Sequence, residues 1–272
     1  MNFILRFFGG YNIFITKKLN DLQTYSMLEV KLKNIGGSDR PLYTGVNMEI
    51  LTKEWNSYIE SMKSALAENK DWQEELDGCL EMAEAAKNGD EGALLDLVAY
   101  KANHGIDFEE SVAFLNKKAD EGDISALKTL GFLNSVGVFN PFDKSKNSLV
   151  DINTDESEEK TTSYFKRASD LGSVHAMVWF AMRDCIYAAA ESDKAEEKAE
   201  PAPSAEDFLK AEKSALKAIE ESKKPGGDCT LEGISILYYW LSRVYASNNP
   251  VNPIHDEEKS KYWEEKSKKI TK

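Results

Sequence analysis

Three histidines and three cysteines are the side chains here best suited to nucleophilic or metal chemistry, and their spacing decides what they can do. A thiolate nucleophile needs a base within hydrogen-bond reach. His175 and Cys185 fall on one helical stretch ten residues apart, a rise of ~15 Å, too far to act as a pair. Cys79, Cys185 and Cys229 form no CxxC and no Cys/His ligand spacing. That pattern argues against a zinc site and against a disulfide framework. His104 precedes Gly105 at a helix end, where an imidazole ordinarily faces the C-terminal dipole. His255 stands beside Asp256 at a helix start, in solvent. The acidic pairs Glu109-Glu110 and Glu158-Glu159 open exposed helices, where the dipole favours them. The chain has no Gly-rich phosphate loop, no G-x-S-x-G and no H-E-x-x-H. No catalytic residue, metal or cofactor is expected, and the chain reads as a non-enzyme.

The elements that would carry any other function show in the charge and the periodicity. The formal charge is −13, with 30% of the residues charged. Nucleic acid is excluded, because its phosphates need a basic footprint. A basic protein partner is permitted, through faster encounter more than through affinity, and acidic solubility accounts for the same charge. Residues 1–50 carry +2 and the remainder −15. The opening MNFILRFFGGYNIFI is apolar but broken by Arg6 and Gly9-Gly10, and it is too short to span a bilayer. Residues 1–48 read as an N-terminal extension, with three readings open: a start misassigned ahead of Met48, a loosely packed segment, or a membrane-touching one. No membrane role is expected of the chain, and unpaired cysteines point to the cytoplasm.

From Glu49 the helical period takes over. Trp55, Tyr58, Ile59, Met62, Ala65 and Leu66 share one helix face. Asp71 is a candidate cap for a helix over 72–87 that buries Trp72, Leu76, Leu80 and Ala83. Further helices are expected over 91–104, 107–119 (capped by Asp107), 123–136, 155–169 and 173–190. The last three run over 204–222, 230–246 and 255–270. A break over 137–153 holds Pro141, and an acidic Ala/Pro-rich stretch follows residue 190. In the helix over 204–222, Phe208, Leu209, Ala215, Leu216 and Ile219 are the expected core.

One unit recurs along these helices. Gly89, Gly122 and Gly172 are each followed four residues later by an alanine: Ala93, Ala126 and Ala176. The glycines are 33 and 50 residues apart, and a period of that size means stacked helical hairpins. Gly ends a helix in the left-handed conformation, and a small residue at the crossing lets helices approach to about 8–10 Å. Leu130, with Leu97, Phe180 and Leu241 as its equivalents, fills the space beside it. The expected fold is all-α: an α/α superhelix, or solenoid, of stacked antiparallel helix pairs, about four to five repeats over 49–272.

The unit resembles the Sel1-like repeat, a relative of the tetratricopeptide repeat. Lys117, Ala119, Gly122, Asp123, Ala126, Leu130, Gly131, Gly137 and Val138 match its pattern directly. Ala85-Ala86, Gly89, Asp90, Ala93 and Leu97 match it again, as do Arg167, Ala168, Gly172 and Ala176. The likeness covers about 71–269. It departs where the family tyrosine is Lys101, Asn134 and Asp184, and where Leu237 replaces the alanine. The resemblance implies a scaffold for protein–protein interaction whose first helices line a concave groove. Groove positions at fixed offsets from each glycine are Leu95 and Ala99, then Ser125, Lys128, Phe132 and Ser135, then His175, Val178, Met182 and Cys185. In the last unit they are Ile236, Tyr239 and Arg243. The partner is another protein or peptide, and an immunity-type neutraliser of a basic protein is one version of this reading. Two others stand beside it. One is a hydrolase of the kind credited to some members of the family. The other is a structural module that self-associates through its N-terminal segment.

Overall fold

A computed structural model describes residues 51–66, 72–189 and 203–270, and among them all regular structure is helical, with no strand. The expected extension over 1–48 and the expected cap Asp71 lie outside the described residues. The helices are α1 (Lys53–Leu66), α2 (Trp72–Lys87), α3 (Glu91–Asn103), α4 (Phe108–Asp120) and α5 (Ile124–Val136). They continue with α6 (Asp155–Asp170), α7 (Val174–Ala188), α8 (Ala205–Glu221), α9 (Leu231–Ala246) and α10 (Glu257–Ile270). No helix among these residues is long and apolar enough to cross a membrane.

The three repeated turns share one backbone geometry. Gly89, Gly122 and Gly172 have φ of 92°, 87° and 95°, in the region that only glycine enters without a Cβ clash. The amide after each glycine returns to the preceding helix: Asp90 to Ala85, Asp123 to Lys118, Ser173 to Ala168, at 2.9–3.0 Å. Those same three residues then cap the next helix. Their side chains accept from the amides of Ala93 (2.9 Å), Ala126 (2.8 Å) and Ala176 (3.2 Å). One residue thus closes the old helix with its amide and opens the new one with its side chain, which fixes the angle between them.

The chain divides into two compact units, the first ending at Tyr164 and the second beginning at Phe165. In the first, neighbouring helices pack in pairs along the sequence from α1 to α5, and α3 also packs on α5. Its core holds Trp55, Tyr58, Ile59, Met62, Leu76, Cys79, Met82, Ala83, Ala86, Leu97, Tyr100 and Ile106. Leu80, expected inside, is exposed at 43%. The buried arc of α2 runs through 76, 79, 83 and 86, and Leu80 lies one residue off it, a turn of about 100°.

The expected break after Val136 is an ordered strap with a 3-10 turn over Lys144–Ser148. Phe139 N donates to Asn103 O (2.9 Å), and Asn140 Nδ2 donates to His104 O (2.7 Å). Asn140 Oδ1 accepts from the amides of Phe142 and Asp143, and the Phe142 ring lies 5.2 Å from both Tyr58 and Trp72. The strap passes so close to Gly105 that a Cβ there would stand 2.9 Å from Leu149 Cδ1.

In the second unit α7 packs on α8 and α9, α8 on α9, and α9 on α10. Small residues line its core: Ala181, Cys185 and Ala188 from α7 with Ala211, Ala215 and Ala218 from α8. The Cys185 thiol donates to Ala211 O (3.8 Å). Phe208 and Ile219 are buried as expected, but Leu209 and Leu216 are exposed at 49% and 40%. The seam follows 208, 211, 215 and 218, which puts the larger leucines a quarter-turn outside it. Phe180 is half-buried, where the repeat pattern expects it inside. The last helix, α10, buries no residue completely.

Candidate functional site

Because the turns share one geometry, residues at equal offsets on α3, α5 and α7 start from the same orientation. Each unit sorts its expected groove residues differently. In the first unit Ser125 is exposed, and Leu95, Lys128, Phe132 and Ser135 are half-buried. Ala99 is buried at 8% exposure and is a correction. Six consecutive residues of α3, from Leu97 to Ala102, are buried, so that half of the helix has no open face. α2, α4 and α5 pack on this helix, and α1 covers one side of it: its Trp55 ring meets Tyr100 edge-on at 6.2 Å, and its Tyr58 ring lies 5.5 Å from His104.

In the second unit Tyr239 (45% exposed) and Arg243 are exposed, and His175, Met182 and Ile236 are half-buried. Val178 and Cys185 belong to the core instead. On α7 the face toward α8 turns through Ala181, Cys185 and Ala188, and the fixed offset from Gly172 lands on it. These two residues are the second correction. The open stripe on α9 passes through Ile236, Tyr239 and Arg243 at three- and four-residue spacing, one helix face.

The side chains first considered for catalysis do not converge. Burial pushes the Cys185 thiol well up from its ordinary range, reinforced by the neighbouring Asp184 carboxylate. The His104 ring stacks on Tyr100 at 4.0 Å, and its Nδ1 lies 2.8 Å from Tyr100 O. Burial lowers its pKa to about 4, so it is neutral at pH 7 and does not serve the helix dipole as a cation. The amide of His175 donates to Asp228 Oδ1 (3.0 Å), and Ser173 Oγ donates to the other oxygen (2.7 Å). Among the described residues no group of three or more His, Cys, Asp or Glu is placed to hold a metal ion.

Sequence reasoning missed a buried ionic cluster in the first unit. Asp107, expected to cap α4, makes no side-chain cap and stands at φ 44°, ψ 47°. Its Oδ2 instead accepts from Lys101 Nζ (2.8 Å) and from Thr52 Oγ1 (2.7 Å). Its amide donates to Glu54 Oε2 (2.6 Å), while Glu54 Oε1 is paired with Lys146 of the strap. Lys101 is 1% exposed, with its ammonium 5.7 Å from the centre of the Trp55 ring. Beside this cluster Tyr58 donates to Tyr100 (3.0 Å) and Tyr100 to Glu75 Oε1 (2.7 Å). Burial raises the Glu75 pKa, partly opposed by that hydrogen bond. The signal was present in the sequence as the lysine standing where the repeat pattern has tyrosine.

Comparison with known proteins finds no matching family model, no matching curated protein and no matching solved structure.

Proposed function

We propose that the chain is a Sel1-like helical-repeat adaptor, a superhelix of stacked antiparallel pairs that holds a partner protein segment on its first-helix face. The observation that carries the reading is the threefold turn: one glycine conformation, one returning amide and one side-chain cap, each followed by the same alanine. Two further features support it. First helices of successive pairs meet, α3 with α5 and α7 with α9, as stacking of repeats requires. The polar α10 with no fully buried residue suits a terminal capping helix. The accessible candidates are Ser125 on α5 in the first unit and, separately, Tyr239 and Arg243 on α9 in the second.

The test is affinity capture with the full chain against variants Ser125→Arg and Tyr239→Asp, with captured proteins identified by mass spectrometry. Both positions are exposed, so the variants should keep their helicity and melting temperature. A partner held by the wild type and lost by either variant supports the assignment. Equal recovery by all three proteins contradicts it.

A further inference from the structure

Acidic residues are not spread evenly over the helices. The second helices carry five on α2, three on α4, five on α6, five on α8 and four on α10. The first helices carry two on α1, two on α3, none on α5, and one each on α7 and α9. The one on α7, Asp184, is engaged by Lys210 (2.7 Å) and Ser214 (2.9 Å) of α8. The one on α9, Glu232, stands eleven residues before Arg243, ~16 Å along the helix. Negative charge among the described helices is thus concentrated on the second helices α2, α4, α6 and α8, while α10 offsets its four acids with five lysines.

Distance keeps it there. Packed helices lie about 8–10 Å apart, and the Debye length at physiological salt is about 8 Å. Carboxylates on the far side of a helix pair act weakly on a ligand at the first-helix face. What acts locally on α9 is the exposed guanidinium of Arg243, one turn from the exposed Tyr239 ring. On the adjoining helix Arg243 interacts with Glu264, whose carboxylate already accepts from Lys268 (2.6 Å). The Lys268 hydrogen bond, with Arg243 as a smaller contributor, holds the Glu264 carboxyl below its usual range. Tyrosine and arginine are both enriched among residues that dominate protein interfaces, and the planar guanidinium takes a carboxylate through two parallel hydrogen bonds.

We propose that the face of α9 around Tyr239 and Arg243 binds a protein segment in which an apolar side chain stands next to an acidic one. This rests on the first-helix face being the binding face, and it reverses the charge that the overall composition suggests for the partner. The half-exposed Glu264 carboxylate beside this stripe is already held by Lys268, so a basic segment is disfavoured beside Arg243.

The experiment pans a random displayed peptide library on the full chain. Enriched peptides are then synthesised and titrated by fluorescence anisotropy against wild type, Tyr239→Asp, Arg243→Glu and Leu209→Asp. Melting temperatures confirm that each variant folds. The expected peptides pair an aromatic or aliphatic residue with Asp or Glu. They lose about tenfold or more in affinity with Tyr239→Asp and with Arg243→Glu, weaken with added salt, and ignore Leu209→Asp on α8. Peptides that depend on Tyr239 but are rich in Lys or Arg, or are indifferent to Arg243→Glu, overturn the charge assignment alone. Peptides indifferent to Tyr239→Asp, or no enrichment at all, overturn the binding face itself.

Discussion

The two units hold their helices by different means. The first buries an ammonium and a chain of two tyrosines, with partly buried carboxylates as their partners and aromatic rings packed round them. The second brings α7 and α8 together on alanines, a cysteine and a phenylalanine. A buried ion pair contributes little net stability, because desolvation offsets the attraction, yet losing one partner is severe. An alanine seam is the reverse: each residue contributes little by size, but none can grow. The first unit is thus vulnerable to deletion and the second to enlargement.

The largest effect is expected from Lys101→Ala, which empties a buried site and leaves the partly buried Asp107 carboxylate without its cation, and should cost about 3 kcal/mol. Hydrogen exchange should localise the loss to α3, α4 and the strap. The double variant Lys101→Met/Asp107→Asn should recover most of it, since asparagine tolerates the left-handed backbone. If Lys101→Ala alone costs nothing, the cluster does not hold the first unit.

Acid should also distinguish the units. His104 has a folded pKa of about 4, below the ordinary 6.5, so the unfolded chain binds the extra proton in between. Its neutral burial is without penalty above about pH 6.5, and stability falls as the pH drops from there toward 4. His104→Gln should flatten that part of the stability profile of the first unit, measured by denaturant titration at each pH. An unchanged slope would show that His104 is not the group responsible.

In the second unit Ala215→Leu should overpack the seam and cost about 1–3 kcal/mol, while Leu209→Ala on the same helix should stay within about 0.5 kcal/mol. Equal costs would contradict the seam. The glycine turns should behave alike in both units. Gly89→Ala and Gly172→Ala meet no atom within 4 Å, so each pays only for its left-handed backbone, about 1 kcal/mol. Gly105→Ala should cost more than either, because its Cβ would also collide with Leu149 and Lys146 under the strap. Thermal melts of the three variants rank them directly.

The helix ends and turns were legible because their causes are local. Gly122 and Asp123 carry in their own chemistry the instruction to end one helix and begin the next, and the expected boundaries fall within two residues of those found. Inward faces were less legible. Choosing the core by size selects Leu80, Leu209 and Leu216, whereas close helix approach selects Cys79, Ala211 and Ala218, one or two residues away in sequence. Tertiary cover was not legible at all. Ala99 is buried although the repeat pattern leaves it open, and Asp107 caps nothing because Lys101, 6 residues away in sequence, takes its carboxylate. Val178 and Cys185 show that a constant offset from a turn loses its meaning where the neighbouring helix sits on a different side.

We propose that the first helices bind, while the acids concentrate on the second helices. Amide hydrogen exchange of the full chain, with and without a peptide selected on it, tests this most directly. Added protection on α9 and α7, with α8 and α10 unchanged, is the expected result. Protection confined to α8 or α10 would place the binding surface on the second helices and contradict the account.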